Sequence, residues 1–256
     1  NAFGLKMDRL RAILDLIDKY FPDCQMINMD ATVTSIRLKS DEELQELYDR
    51  KVRHLYLGIE SGLDDVLKFM RKEHTQDQAY KEIARIQKVG LIFDAHVMSG
   101  VAGKGRGQEN AIALAEFLNK TQPDHIVNFS LFLHNQVALY EDIKSGAFIP
   151  ADEVENMEEE RTLIELLKEG PDGHQMLYDG FNDFLELRVK GKVPKDAPRM
   201  IEKLTEAIEK YKDEPPIYAY VRGDCPDLSM CDGGRWLWEM DDSKLAQYNE
   251  KEKKLS

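Results

Sequence analysis

Cysteine is scarce in this chain. Its three cysteines, Cys24, Cys225 and Cys231, are too few and too scattered for a disulfide framework, which favours a reducing, cytoplasmic setting over secretion. Long apolar runs are missing too: none approaches the ~18 residues that a membrane span requires. Positive charge is in deficit. Thirty-five basic against 48 acidic side chains leave a formal net charge of −13, which argues against direct nucleic-acid binding or an anionic membrane, since like-signed phosphates repel the chain at long range. No His-x-His or His-Glu-x-x-His spacing occurs, so a dedicated zinc motif is absent. No initiator methionine, charged n-region or apolar h-region opens the chain, and Asn1-Ala-Phe-Gly-Leu runs straight into a helical pattern, so the expectation is an excised fragment.

What is present reads as a globular α/β chain. Apolar residues make up 42%, enough for a core that buries about 70–75% of the unfolded surface at this length. Met26 to Asp30, His54 to Ile59, Leu91 to Met98 and His125 to Leu133 have strand composition. Between them lie helices with legible ends. Leu10, Ile13, Leu14, Ile17 and Phe21 fall at helical spacing, Ser40 with Glu43 and Thr75 with Gln78 form capping boxes, Gly90 suits a helix C-terminus, and Asn110 to Leu118 is helical. The strand starts are 28, 37 and 34 residues apart, the size of a strand, a crossover helix and a return to a parallel neighbour. Four parallel βα units are therefore expected, in an open sheet or part of a barrel. After Pro150 the pattern turns helical. Val154, Met157, Ile164 and Leu167 make one stripe, with Asp152, Glu153 and Glu155 in the first turn, and Asp196 is the expected N-cap of a helix over 197–211. The expected organisation is a partial barrel over 1–149 and a mainly helical extension over 150–256.

Several groups carry chemistry in principle. His96, His125 and His134 lie on or after strands and could converge on a metal, giving a divalent-metal hydrolase, although histidines at strand ends are more often satisfied polar residues. Gly100-Val-Ala-Gly-Lys-Gly-Arg-Gly107 follows a strand and precedes a helix. It lacks the Gly-Lys-Ser/Thr ending of a nucleoside-triphosphate loop and reads as a flexible loop over a ligand site. Cys225 and Cys231 are spaced too widely for the usual ligand pair and read as free thiols. Cys24 is expected to be a small buried residue, and Trp236 and Trp238 to be buried against the barrel. The sharpest pattern is Leu55-Tyr-Leu-Gly-Ile-Glu-Ser-Gly62, followed by Leu63-Asp-Asp-Val-Leu67 and Met70-Arg-Lys72. A buried strand has little use for a carboxylate and a hydroxyl at its C-terminal end, where parallel α/β folds place their ligands.

In order and spacing, Gly58-Ile-Glu-Ser-Gly62, the basic Lys72, Thr75 opening the next helix and a strand ending in Ser99-Gly-Val-Ala-Gly103 resemble the central part of radical S-adenosylmethionine enzymes. The branch most alike contains the Elongator-type catalytic domain and the oxygen-independent coproporphyrinogen oxidases. The resemblance covers about residues 1–150, and the region from Asn182 to Pro194 is similar to a downstream element of that branch. It implies a six-unit partial TIM-like barrel, of which the four units here match the third to sixth. It also implies S-adenosylmethionine and a [4Fe-4S] cluster held by a Cys-x-x-x-Cys-x-x-Cys loop. No two cysteines here have that spacing. The cluster is therefore expected in the parent protein, upstream of Asn1, and not in this chain.

On the cofactor side, the resemblance implies that Glu60 and Ser61 take ribose hydroxyls and that Lys72 pairs with the cofactor's carboxylate. It puts His96 near the ribose, Met98 against the adenine, Gly100 and Gly103 at a close backbone approach, and Phe132 with Leu133 closing the adenine pocket. It names no catalytic residue. The implied parent activity is reductive cleavage of S-adenosylmethionine to methionine and a 5′-deoxyadenosyl radical that abstracts hydrogen from a small-molecule or other unidentified substrate. This chain alone is expected to be inactive. The alternative is a barrel-derived binding or scaffold module without chemistry. Self-association along the exposed edge of the first strand is also expected.

Overall fold

The computed structural model describes residues 2–134, 136–182 and 185–221. Six strands form the main sheet: β1 (Ile27–Ala31), β2 (Val52–Glu60), β3 (Ile92–Ser99), β4 (His125–Ser130), β6 (Met176–Asn182) and β7 (Leu187–Val193), in the order β1-β2-β3-β4-β6-β7. The first five run parallel, and β7 returns antiparallel to β6. A second, two-stranded sheet pairs β5 (Leu133–His134) with β8 (Tyr220–Val221).

The helices are α1 (Met7–Tyr20), α2 (Val33–Arg37), α3 (Asp41–Asp49), α4 (Asp64–Phe69), α5 (Gln76–Lys88), α6 (Gly107–Thr121), α7 (Ala138–Lys144), α8 (Glu153–Leu166) and α9 (Ala197–Tyr211). Strands that add in one direction through right-handed crossovers leave their connecting helices on one face. That arrangement is found. Leu10 and Leu14 of α1, Leu44 and Leu47 of α3, Ile83 and Ile86 of α5, Leu114 and Leu118 of α6, Met157 and Ile164 of α8, and Leu204 of α9 share one core with Leu55, Leu57, Ile59, Phe93, Ala95, Val97 and Ile126 of the strands. Each such side chain, fully buried, contributes about 1.5–3 kcal/mol. A sheet covered on one face only curls around its other face, which is the geometry of a partial barrel.

The expected helix ends are present. Ser40 and Glu43 exchange side-chain-to-backbone hydrogen bonds, as do Thr75 and Gln78. Gly90 takes a left-handed conformation (φ 88°), with its amide donating to Gln87 and that of Leu91 to Ile86, a Schellman stop. Three expectations need correction. The run from His125 to Leu133 breaks after Ser130, because Leu131 donates to Ser99 while Leu133 turns to Ala219. Residues 150–221 are not mainly helical: β6 and β7 join the sheet, and α8 and α9 share its core, so that core continues across the expected boundary at 149/150. Asp196 makes no side-chain cap to α9; its carboxylate accepts the amide of Lys192 at 2.8 Å. At the start of α8, Asp152 caps the helix by accepting the amide of Glu155 at 2.9 Å, and Glu153, in the first turn as expected, is buried. Cys225, Cys231, Trp236 and Trp238 lie outside the described residues. Among the described residues no helix is long and apolar enough to cross a membrane.

Gly62 marks a close backbone crossing: a β-carbon there would meet the backbone of Ala113 and Leu114 in α6. Gly62→Ala should therefore lower stability by about 1–3 kcal/mol, read as a reduced urea midpoint; an unchanged midpoint would show that α6 can move aside.

Candidate functional site

Side chains alternate across each strand, so residues that do not point into the helix-side core point to the open face. There β2 presents His54, Tyr56 and Glu60 around Gly58, β3 presents Asp94, His96 and Met98, β4 presents His125 and Phe129, β6 presents Asp179 and Phe181, and β7 presents Arg188, Lys190 and Lys192. Register aligns them in rows. Gly58, His96, Val127, Asp179 and Lys190 are successive neighbours, as are Met98, Phe129, Phe181 and Arg188.

At the C-terminal end of β2 the ladder slips between Gly58 and Glu60, and Glu60 takes a left-handed backbone conformation (φ 64°). For a residue with a side chain this is a strained conformation of the kind that gathers at ligand sites, and the bulge re-aims the carboxylate. Lys72 donates to Glu60 Oε1 at 2.7 Å. The pair lies across Gly58, where a β-carbon would come 2.6 Å from Glu60 Oε1 and 3.4 Å from Lys72 Nζ. Both side chains keep partial exposure, 19% for Glu60 and 31% for Lys72. Beside them His74 is buried with Nε2 unpaired. Burial first, and Lys72 second, hold its pKa below the ordinary value, so the ring is neutral.

Ser61 is placed differently. It is fully buried, its hydroxyl donating to Asn110 Oδ1 at 2.6 Å and accepting from the Leu63 amide at 3.1 Å. Asn110 in turn accepts from Gly62 and donates to Glu159 Oε1 at 2.7 Å, and Glu159 Oε2 accepts the Gly100 amide at 2.9 Å. Ser61 and Gly100 thus brace the loops after β2 and β3. Glu159 is one of three buried carboxylates on α8. Glu153 accepts from Ser130 and Asn156, and Glu160 from Tyr178 and Asn182. Burial pushes each of the three up to about 7, against the lowering effect of these donors.

Lower on the open face, His54 Nδ1 lies 2.6 Å from Asp94 Oδ2. Burial raises Asp94 to about 6, with His54 opposing. Burial lowers the pKa of both His96 and His125. His125 lies 3.4 Å from the Tyr56 hydroxyl. The expected trio of histidines does not assemble. His134 sits on β5 of the small sheet, accepting the Gln136 amide, and no group of three His, Cys, Asp or Glu side chains suited to a metal ion occurs among the described residues.

Of the expected cofactor-side residues, the structure brings together Glu60, Lys72, His96 and Met98 on the open face. Phe132 is 41% exposed just past β4, whereas Leu133 is buried in a small cluster with Ile143, Phe148 and Tyr218 and lines no open site. Gly103 is left-handed (φ 80°) and packs against Phe148 and the Ile149 carbonyl, and Lys104 donates to that carbonyl at 2.8 Å, so the glycine-rich loop is tied down. A cleft of about 380 Å³ opens beside it, lined by Asp65, Phe69, Lys104, Arg106 and Phe148. Cys24 is half-buried, its thiol donating to the Met26 carbonyl at 3.4 Å. Sequence reasoning missed Tyr56, Asp94, Phe129, Phe181 and Arg188. The period of two in His54-x-Tyr56-x-Gly58-x-Glu60 and Arg188-x-Lys190-x-Lys192 is the signal that marks this face.

An α/β partial barrel with a charged pair at the C-terminal end of a parallel strand is the class that fold and site define. The comparisons bear out the resemblance to radical S-adenosylmethionine enzymes of the Elongator type. The chain is similar to the tRNA-2-methylthio-N(6)-dimethylallyladenosine synthase of Acinetobacter baumannii strain AYE, 33% identical over 101 residues, which are 38% of this chain and 20% of that protein. It is also similar to the tRNA uridine(34) acetyltransferase of Methanocaldococcus infernus, 24% identical over 120 residues, 46% of this chain and 22% of that one. Its fold matches the solved structure of Methanocaldococcus infernus Elp3 with an N-terminal deletion at a TM-score of 0.53 and 18% identity, covering 73% of this chain and 42% of that one. The matches span about one fifth of the curated relatives' length. No protein-family model matches the chain.

The α8 carboxylates set a pH dependence. Carboxyls whose folded pKa lies above the unfolded value favour the folded state when protonated, so their contribution is lost as pH rises from about 4.5 to about 7. Relative to Glu160→Gln, the natural chain should lose on the order of 1–3 kcal/mol between pH 5 and pH 8, measured by urea unfolding at several pH values. Parallel stability curves would overturn this assignment.

Proposed function

We propose that the chain is the cofactor-facing part of a radical S-adenosylmethionine enzyme, with S-adenosylmethionine held across the C-terminal ends of β2, β3 and β4. The observation that carries this reading is the Glu60–Lys72 pair, held in a strained bulge over Gly58. The residues fit that ligand. A carboxylate suits a ribose diol, an ammonium suits the methionine carboxylate, and Met98 and Phe132 offer apolar surface for a flat ring. Burial lowers the pKa of His96, which stands beside Tyr56 and Phe129, so its uncharged ring can accept a hydrogen bond from a ribose hydroxyl without adding charge. Buried Asn110, Ser61 and Glu159 fix the backbone that aims Glu60. In the parent enzyme the bound cofactor supplies a 5′-deoxyadenosyl radical on reductive cleavage; this chain's residues bind, orient and exclude water.

The residues do not fit a [4Fe-4S] cluster, because no two cysteines in the sequence have the spacing of a three-thiolate loop. No step is routed through one, and the isolated chain is proposed to lack turnover. The scarcity of cysteine and the acidic charge favour the cytoplasm. The chain is further proposed to self-associate through β1, an edge strand flanked by exposed Leu16, Tyr20, Phe21 and Met26.

Calorimetry should give binding of S-adenosylmethionine that weakens about tenfold or more in Glu60→Ala and in Lys72→Met. Binding unchanged by both substitutions, or no binding at all, would favour the scaffold alternative. Anaerobic reconstitution with iron and sulfide should leave the chain without stoichiometric cluster absorbance; a full cluster would refute that part. Light scattering should report a dimer that Phe21→Asp dissociates, and a strictly monomeric natural chain would end the edge proposal.

A further inference from the structure

The geometry points to a second ligand subsite on the open face, for a planar aromatic ring bearing a carboxylate or a phosphate. Four rings form a row across four adjacent strands. Tyr56 lies 5.2 Å from His96, His96 lies 6.0 Å from Phe129, and Phe129 lies 5.5 Å from Phe181, centroid to centroid. The last two are within 14° of parallel. These residues turn away from the helix-side core, and Phe129 and Phe181 are only partly buried. Tyr56 is tilted 39° to His96, and His96 stands edge-on to Phe129 at 82°; the flat surface is the Phe129–Phe181 pair, and a partly exposed pair of this kind gains by covering itself with another ring.

The row ends in positive charge. The Arg188 guanidinium stands 4.6 Å from the Phe181 centroid. Arg188 grips Asp179 through Nε and Nη2 at 2.8 and 2.7 Å, and Lys190 reaches the same carboxylate at 2.8 Å. Two cations on one carboxylate leave one positive charge over, and Lys192 on the same face of β7 adds another. Arg188 and Lys190 remain about half exposed, 53% and 49%. In a chain of net charge −13, this strip is where an anion is welcome. A cationic ligand, which bare rings would also accept, is repelled at that end. Charges on an edge strand also deter pairing with other chains, but that duty does not require the rings.

The stacked Phe129–Phe181 pair and its cations stand apart from the Glu60–Lys72 pair, while Tyr56 and His96 lie on the cofactor side of the row. β2 and β7 are four strand steps apart in the sheet, about 19 Å at the usual spacing. The open face can therefore hold one ligand at the β2 edge and another against β6 and β7. The inference rests on Phe129, Phe181 and the β7 cations, none of which the cofactor reading places against its ligand, and it stands or falls separately from that reading.

The test is calorimetric titration of the full chain with two probes, 5′-AMP and quinoline-2-carboxylate, alongside adenosine and inorganic phosphate as half-ligands. At least one probe should bind. Arg188→Gln and Phe181→Leu should each weaken it about tenfold or more, and each half-ligand should bind more weakly by a similar factor. Glu60→Ala should leave the binding of quinoline-2-carboxylate, which carries no ribose, unchanged while it weakens S-adenosylmethionine. Preference for 5′-AMP would identify a phosphate ester, and preference for the quinoline a carboxylate. Lys190→Met is the second variant should Arg188→Gln fail to fold, and unchanged probe affinity in Lys190→Met and Phe181→Leu overturns the subsite. Failure of both probes to bind at millimolar concentration overturns it, as does binding lost in Glu60→Ala but kept in Arg188→Gln.

Discussion

The upper edge of this molecule depends on one buried carboxylate. Glu159, on α8, receives the Gly100 amide with one oxygen and the Asn110 amide group with the other. Asn110 then takes the Ser61 hydroxyl and the Gly62 amide. Loops that follow two different strands, and two helices, meet in that chain of bonds. A carboxyl group in such a place carries a desolvation cost, which its donors offset. Charged pairs at the surface could not substitute, because exposed side chains trade their partners for water. The strained backbone of Glu60 is tolerated because Ser61, its neighbour, is held so firmly.

The second constraint is topological. Five parallel strands laid down in one direction leave one face to the helices and one to side chains of every other character. The helix side is mainly apolar, built from Leu, Ile, Val and Ala with Phe and Met, apart from the buried polar network on α8. The open side gathers four histidine and tyrosine rings with two phenylalanines and most of the sheet's charge. Such a face is costly to expose without use, and its composition changes along the sheet. Carboxylates stand out at β1 to β3, with Asp30 and Asp94, and cations at β7, with Arg188, Lys190 and Lys192. Polarity from one side of the sheet to the other is what a face needs in order to orient an asymmetric ligand.

The first half of the fold was legible because each element carries its own punctuation. Ser40 with Glu43, Thr75 with Gln78 and Gly90 mark ends that hydrogen bonds then realise, and the strand starts recur at crossover spacing. The upper-edge pair was legible too, since Glu60 and Lys72 stand at a recognisable motif. What stayed hidden follows from burial. Glu153, Glu159 and Glu160 look like the wet side of an amphipathic helix, and only tertiary contacts reveal that they face inward. Ser61 looked like a ligand contact because a hydroxyl at a strand end suits one; its true partner, Asn110, is 49 residues away. The strands β6 and β7 were obscured by Asp179, Gly180 and Asn182, polar or small residues that a strand tolerates only when its neighbours satisfy them.

The reversal of β7 has a consequence for how the sheet can grow. On one side the parallel series ends in a strand of opposite polarity, whose inner row is cationic and whose outer row packs under α9. On the other side β1 still offers backbone groups in the common direction, beside an apolar shoulder at Phe21 and Met26. The two edges of the sheet are therefore not equivalent: a strand added parallel to β1 continues the shared polarity, whereas one added to β7 meets a strand of opposite direction.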